Sequence, residues 1–190
     1  MTADLKNDVD RVLFSEDELK NTVKRLGQEI SRDYEGKNLL LVSILKGAVV
    51  FMTDLMREIT IPCAIDFMAV SSYGSKAKSS GAVKIIKDLD RDLAGYDLLI
   101  VEDILDSGRT LNYVLGLLRS RNPNSIKVCT LLDKPEARDK SITFATDYSG
   151  LIVPNEFIVG YGLDYDEKYR NLPYIGVLKR EIWEKDTNSV

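Results

Sequence analysis

Four aliphatic residues, Leu98-Leu99-Ile100-Val101, run without a break into Glu102 and Asp103, then through Ile104-Leu105 into Asp106-Ser107-Gly108-Arg109-Thr110. An apolar run without alternation fits a strand buried on both faces, and such strands belong to largely parallel sheets covered by helices on each side. Neighbouring carboxylates at the end of a buried strand suffer desolvation and mutual repulsion unless something positive or hydrogen-bonding meets them. Beyond them, Asp106 to Thr110 forms a glycine-containing turn into a helix N-terminus, where free N–H groups and the helix dipole favour an anion such as phosphate. Carboxylates beside a phosphate cradle suit a sugar phosphate, the acids taking hydroxyls and the loop taking the phosphate.

The rest of the chain repeats this strand-then-helix rhythm. Ser15-Glu16-Asp17-Glu18 is a capping box, and Leu19, Val23, Leu26 and Ile30 follow at helical spacing until Gly36. A buried strand is expected over 38–44, a turn at Leu45-Lys46-Gly47, and a helix through Glu58. Pro62 opens a strand to Val70, and the Ser-, Gly- and Lys-rich segment 71–81 reads as a mobile loop. Residues 82–87 read as a returning strand and 88–95 as a polar connection. A strand over 97–101 precedes a helix over about 109–121. Further strands are expected at 126–132, 142–145, 157–161 and 175–178, with fraying from Asp186 onward. Strands alternating with helices imply an α/β fold built on a mainly parallel sheet, as one domain over 1–190. Ligands in such sheets sit at the carboxyl ends of the strands.

Composition removes whole classes of chemistry. The chain has no histidine, so proton transfer falls to Asp, Glu, Lys, Tyr or water, and any metal should be a hard cation on oxygen ligands. A net charge of −4 gives no general reason to bind nucleic acid or an anionic membrane. Cys63 and Cys129 both lie in apolar stretches, which favours buried thiols over a disulfide and a reduced compartment. The polar, acidic start is unlike a secretory signal, and no apolar run approaches the roughly 20 residues of a spanning helix. Cytoplasm is the expected location, with neither membrane nor nucleic acid as partner.

The string Leu98 to Thr110 closely resembles the signature with which type I phosphoribosyltransferases bind 5-phosphoribosyl diphosphate (PRPP). That resemblance implies the fold of this family, with a small hood region beside the main sheet. It implies that Glu102 and Asp103 hold the ribose hydroxyls, directly or through Mg²⁺, that Ser107, Gly108, Arg109 and Thr110 grip the 5′-phosphate, and that Asp106 takes a proton from the purine N7. Leu45-Lys46-Gly47 looks like the family's diphosphate loop. The resemblance also implies a strained peptide before Lys46, with cis as the form to look for, a state that non-proline residues hold only with structural support.

Other segments resemble the hypoxanthine-guanine branch of the family. Ser72 and Tyr73 match a lid that excludes water from the reaction centre. Lys134 matches a lysine that donates to the exocyclic oxygen of 6-oxopurines; an ammonium only donates, so it selects a carbonyl over an amino group. The stretch 157–173 matches the base-binding region, Phe157 giving an aromatic face, Ile158 backbone groups, Asp164 a contact to a second Mg²⁺, and Arg170 a contact to diphosphate. The implied metal ligands are Glu102, Asp103 and Asp164, the implied substrates PRPP and a 6-oxopurine, and the implied assembly a homodimer or homotetramer. The rivals are a phosphoribosyltransferase for xanthine, adenine or a pyrimidine, and a regulator that keeps the PRPP pocket but binds RNA or DNA. Lys134 and the 157–164 stretch argue against adenine and pyrimidines, and the lack of net positive charge argues against the regulator.

Overall fold

A computed structural model describes residues 5–72 and 83–187. After a short 3₁₀ turn, the elements are β1 (Val9–Phe14), α1 (Glu16–Asp33), β2 (Leu39–Leu45), α2 (Val49–Glu58), β3 (Cys63–Ser72), β4 (Val83–Lys87), β5 (Asp97–Leu105), α3 (Arg109–Arg119), β6 (Ser125–Asp133), β7 (Tyr148–Ile152), β8 (Ile158–Val159), β9 (Ile175–Leu178) and α4 (Arg180–Thr187). Six strands form the main sheet in the order β4-β3-β2-β5-β6-β7, all parallel except the edge strand β4. The expected mainly parallel sheet is therefore present. β1, β9 and β8 form a separate antiparallel sheet, the hood.

Strand alternation explains why both faces of the main sheet are dry. Leu39, Leu41, Leu99 and Val101 point one way and pack with Leu19, Leu26 and Ile30 of α1 and Phe51, Met52 and Leu55 of α2. Leu40, Val42, Leu98 and Ile100 point the other way, against Leu111, Val114, Leu115 and Leu118 of α3. β5 lies mid-sheet, and its run Leu98 to Val101 is fully buried, as the unbroken apolar sequence requires.

α1 begins as read. The Ser15 hydroxyl accepts from the Glu18 amide while the Glu18 carboxylate accepts from the Ser15 amide. Two expectations need correction. The stretch 142–145 forms no strand; β7 lies at Tyr148–Ile152 and pairs with β6. β5 continues past Val101 to Leu105, so Glu102 and Asp103 stand inside the strand and not after it. α4 runs through Thr187, and residues 188–190 of the end expected to fray lie outside the described residues. The expected loop 71–81 begins as strand at Ser71 and Ser72, and the remainder of it lies outside the described residues. Among the described residues no helix is long and apolar enough to cross a membrane.

Candidate active site

Because Glu102 and Asp103 are consecutive strand residues, they leave β5 on opposite faces. Asp103 shares the face of Val101 and reaches the turn before α2, where one carboxylate oxygen accepts from the Ile104 amide at 2.8 Å. The other oxygen occupies the space beside Gly47: a Cβ at that glycine would stand 1.9 Å from it. The glycine of the Leu45-Lys46-Gly47 turn is thus dictated by the carboxylate. The Leu45–Lys46 peptide is cis.

Glu102 shares the face of Ile100, toward α3. Together with Asp103, Gly47, Asp106 and Thr110 it lines a cavity of about 280 Å³. Water reaches Glu102 through this cavity, yet protein hems it in so closely that its charged form is poorly solvated. Burial first, and the charge of Asp103 second, hold its carboxyl well above the usual range. Burial likewise pushes Asp103 up to about 6, opposed by backbone donors and the charge of Arg170 and reinforced by that of Asp164. Among the described residues neither carboxylate has an ion-pair partner. Two acids in one cavity, neither in an ion pair, fit a hard divalent cation, which would supply a close positive charge. No three acidic, cysteine or histidine side chains form a ready cage among the described residues, so such a cation would rely on water and substrate oxygens, as Mg²⁺ commonly does.

The loop after β5 turns into α3 through Gly108 at φ 79°, a conformation open to glycine at little cost. Asn112 closes the first helical turn onto the Gly108 carbonyl. The segment 133–139 braces this loop. The amide of Asp139 donates to the Ser107 carbonyl at 3.1 Å, and Arg138 donates to the Leu105 carbonyl and pairs with Asp133. Arg109, expected at the phosphate, extends to Asp139, its Nε 2.5 Å from a carboxylate oxygen. Bonds from the Ser141 amide and hydroxyl, then Arg109, hold Asp139 down to about 2. Arg138 and Asp139 were not singled out in the sequence; nothing in their spacing marks a brace formed by tertiary contact.

The amide of Lys134 donates to the Leu105 carbonyl, which ties the phosphate loop to a second, larger cavity of about 1100 Å³. Lys134 and Phe157 both line it. Lys134 is 9% exposed, unusual for a lysine, and its ammonium donates to the Glu156 carbonyl at 3.0 Å. The Glu156 carboxylate is gripped by Arg11 of the hood, both oxygens at 2.6 Å. Ile158, in β8, is buried and faces Val177 across the hood sheet.

Past β8 the chain folds back over the turn at Lys46-Gly47. Gly162 presses so close that a Cβ there would lie 2.1 Å from the Gly47 carbonyl. Arg170 donates to the Gly162 carbonyl and lies 2.9 Å from Asp164. Lys46 lies 3.0 Å from Glu167, which also sits 3.6 Å from Arg170. Glu167 lies in the stretch 157–173, but nothing in its spacing marks it as the partner of Lys46. Asp164 is bound to Arg170 and to the Glu167 amide. The fold therefore gathers Gly47, Glu102, Asp103, Asp106, Ser107, Gly108 and Thr110 around one cavity, and Lys134 and Phe157 around its neighbour. Ser72 ends β3, while Tyr73, the expected lid residue, lies outside the described residues.

Residues 15–166 match the model of the phosphoribosyl transferase domain. The chain belongs to the phosphoribosyltransferase family. It is 52% identical over 181 residues to a hypoxanthine-guanine phosphoribosyltransferase of Streptococcus thermophilus, a match covering 95% of this chain and 99% of that protein. It is 55% identical to the bifunctional protein TilS/HprT of Listeria innocua, where the match covers 95% of this chain but 28% of the longer relative. Among solved structures, a hypoxanthine phosphoribosyltransferase from Staphylococcus aureus superposes with a TM-score of 0.91 at 48% identity, covering 96% of this phosphoribosyltransferase chain and 98% of that one.

Proposed function

We propose that this phosphoribosyltransferase transfers the 5-phosphoribosyl group of PRPP to N9 of hypoxanthine or guanine, forming IMP or GMP and diphosphate in purine salvage. The observation that carries the reading is the pairing of two carboxylates outside any ion pair, Glu102 and Asp103, with a glycine-opened helix start in the same cavity. The relatives' names agree with it. The selectivity for 6-oxopurines rests on Lys134, a buried ammonium with donors alone, beside the exposed aromatic face of Phe157.

In this reading Ser107, Gly108, Arg109 and Thr110 receive the 5′-phosphate, and Glu102 and Asp103 take the ribose hydroxyls. Mg²⁺ held by Glu102 and Asp103, with Asp164 on the base side, would neutralise diphosphate charge. N9 of the base bonds to the anomeric carbon as the bond from that carbon to diphosphate oxygen breaks. Gly47 and the side chains of Lys46 and Arg170 meet the departing diphosphate. Asp106 accepts the proton that N7 gives up, a role that falls to a carboxylate in a chain without histidine. Ser72 and Tyr73 take the role of excluding water from the reaction, and Ile158 presents its backbone to the base edge. We assign the whole of 1–190 to one catalytic domain working as a homodimer or homotetramer in the cytoplasm.

The test is product analysis with PRPP, Mg²⁺ and each of hypoxanthine, guanine, xanthine and adenine, alongside Asp106→Asn. Nucleotide should form from the first two, and the variant should bind nucleotide yet turn over roughly 10²–10⁴-fold more slowly, the usual share of general base catalysis. Product from adenine alone, or unchanged turnover in the variant, would overturn the assignment.

A further inference from the structure

We propose that Trp183 is a positioning residue for the base site: by stacking on Phe157 it fixes the ring against which the 6-oxopurine lies. The inference rests on the functional reading above and extends it to α4. Phe157 is 37% exposed, a large apolar ring open to the cavity that also contains Lys134. Its backbone is already fixed, because the Phe157 carbonyl accepts from the Leu178 amide at 2.8 Å. Only the side-chain torsions remain free, and two neighbours restrain them. The Trp183 indole lies on one face, centroids 5.7 Å apart and planes 20° from parallel. Tyr165 meets the ring edge-on at 5.3 Å and 90°.

A ring ordered before the ligand arrives serves as a platform without further cost, whereas a ring ordered on binding weakens affinity by roughly threefold to tenfold. Phe157 remains partly exposed to the cavity it shares with Lys134, where a flat ligand can reach it, and stacking of that kind is favourable between aromatic systems. Trp183 is itself set by packing against the cluster of Val159, Tyr169, Leu172 and Leu178. Its indole N–H is buried and finds no acceptor among the described residues. Stacking and apolar contact therefore hold it, and a phenylalanine can replace it. Trp183 is also the only tryptophan in the chain, so its emission reports on this one site.

The experiment compares steady-state kinetics of wild type, Trp183→Leu and Trp183→Phe, and follows indole emission of the wild type during titration with GMP. Trp183→Leu should raise KM for hypoxanthine and guanine roughly threefold to tenfold, with kcat and KM for PRPP within about twofold, and Trp183→Phe should restore the base KM. Wild-type emission should change and saturate with GMP occupancy measured by calorimetry. An unchanged base KM in Trp183→Leu, an equal rise in KM for base and PRPP, or flat emission while calorimetry records GMP binding would overturn the inference. Should Trp183→Leu fail to fold, the wild-type titration decides alone. A wild type that forms no nucleotide from any 6-oxopurine removes the functional reading and this inference with it; an active wild type giving those negative results removes only the role of Trp183.

Discussion

Replacing Gly162 by alanine tests the contact between the base-side loop and the turn at Lys46-Gly47, and Gly36→Ala supplies its control. Both glycines have positive φ, +101° and +75°, but a Cβ at Gly36 meets nothing within 4 Å while one at Gly162 lands 2.1 Å from the Gly47 carbonyl oxygen. Left-handed backbone costs an alanine about 1–2 kcal/mol at either place. At Gly162 a backbone atom must also be displaced, and overpacking of that sort adds about 1–3 kcal/mol. For a chain of this length each kcal/mol lowers Tm by roughly 2–4 °C. Gly36→Ala should therefore melt about 3–6 °C below wild type, and Gly162→Ala about 10 °C below it. Thermal melts followed by far-UV circular dichroism give the stabilities, and initial rates at varied PRPP give the functional cost. Gly162→Ala should raise KM for PRPP because Gly47 is pushed from its place, while Gly36→Ala should leave it alone. Equal melting temperatures with equal KM values would refute the close-approach argument, since φ would then account for everything.

Glu167→Gln should free Lys46, and leave Arg170 with Asp164 as its one carboxylate partner, so KM for PRPP should fall at low salt and converge with wild type at high salt. A rise in KM at low salt would contradict the idea that Glu167 competes for those cations. Asp139 has a folded-state value of about 2, below its ordinary 3.8, so its ionised form stabilises the fold above the ordinary value, and that contribution is lost as pH falls toward 2. Asp139→Asn should therefore unfold at lower urea than wild type at about pH 6, with the gap closing near pH 2; a gap that widens in acid would reverse the sign of the argument.

The sequence carried those elements whose cause is local. The capping box at Ser15 and Glu18, the helical spacing of Leu19 to Ile30 and the unbroken run Leu98 to Val101 each contain their own reason to fold, and each element is present. β1 was missed because Val9-Asp10-Arg11-Val12-Leu13-Phe14 gives no clean burial pattern, and its partner β9 lies more than 160 residues later. β7 was misplaced for a similar reason. Its Gly150 reads as a loop residue, but a Cβ there would meet the Leu131 carbonyl at 2.2 Å, so it marks close strand packing. At the site, residue types and order revealed the carboxylates and the phosphate loop. The brace by Arg138 and Asp139, the Glu167 pairing and the Trp183 stack arise between segments far apart in the chain, where no spacing rule reaches them.

The hood joins strands far apart in the sequence, β1 beginning at Val9 and β9 finishing at Leu178. On a ribosome, the six-stranded sheet has all its strands once residue 152 has emerged, whereas β1 must wait without its neighbour until residues 175–178 have followed. Emergence of β9 is therefore the event that completes the compartment around Phe157 and Lys134, and a chain cut after residue 152 keeps a phosphate cradle without a place for the base.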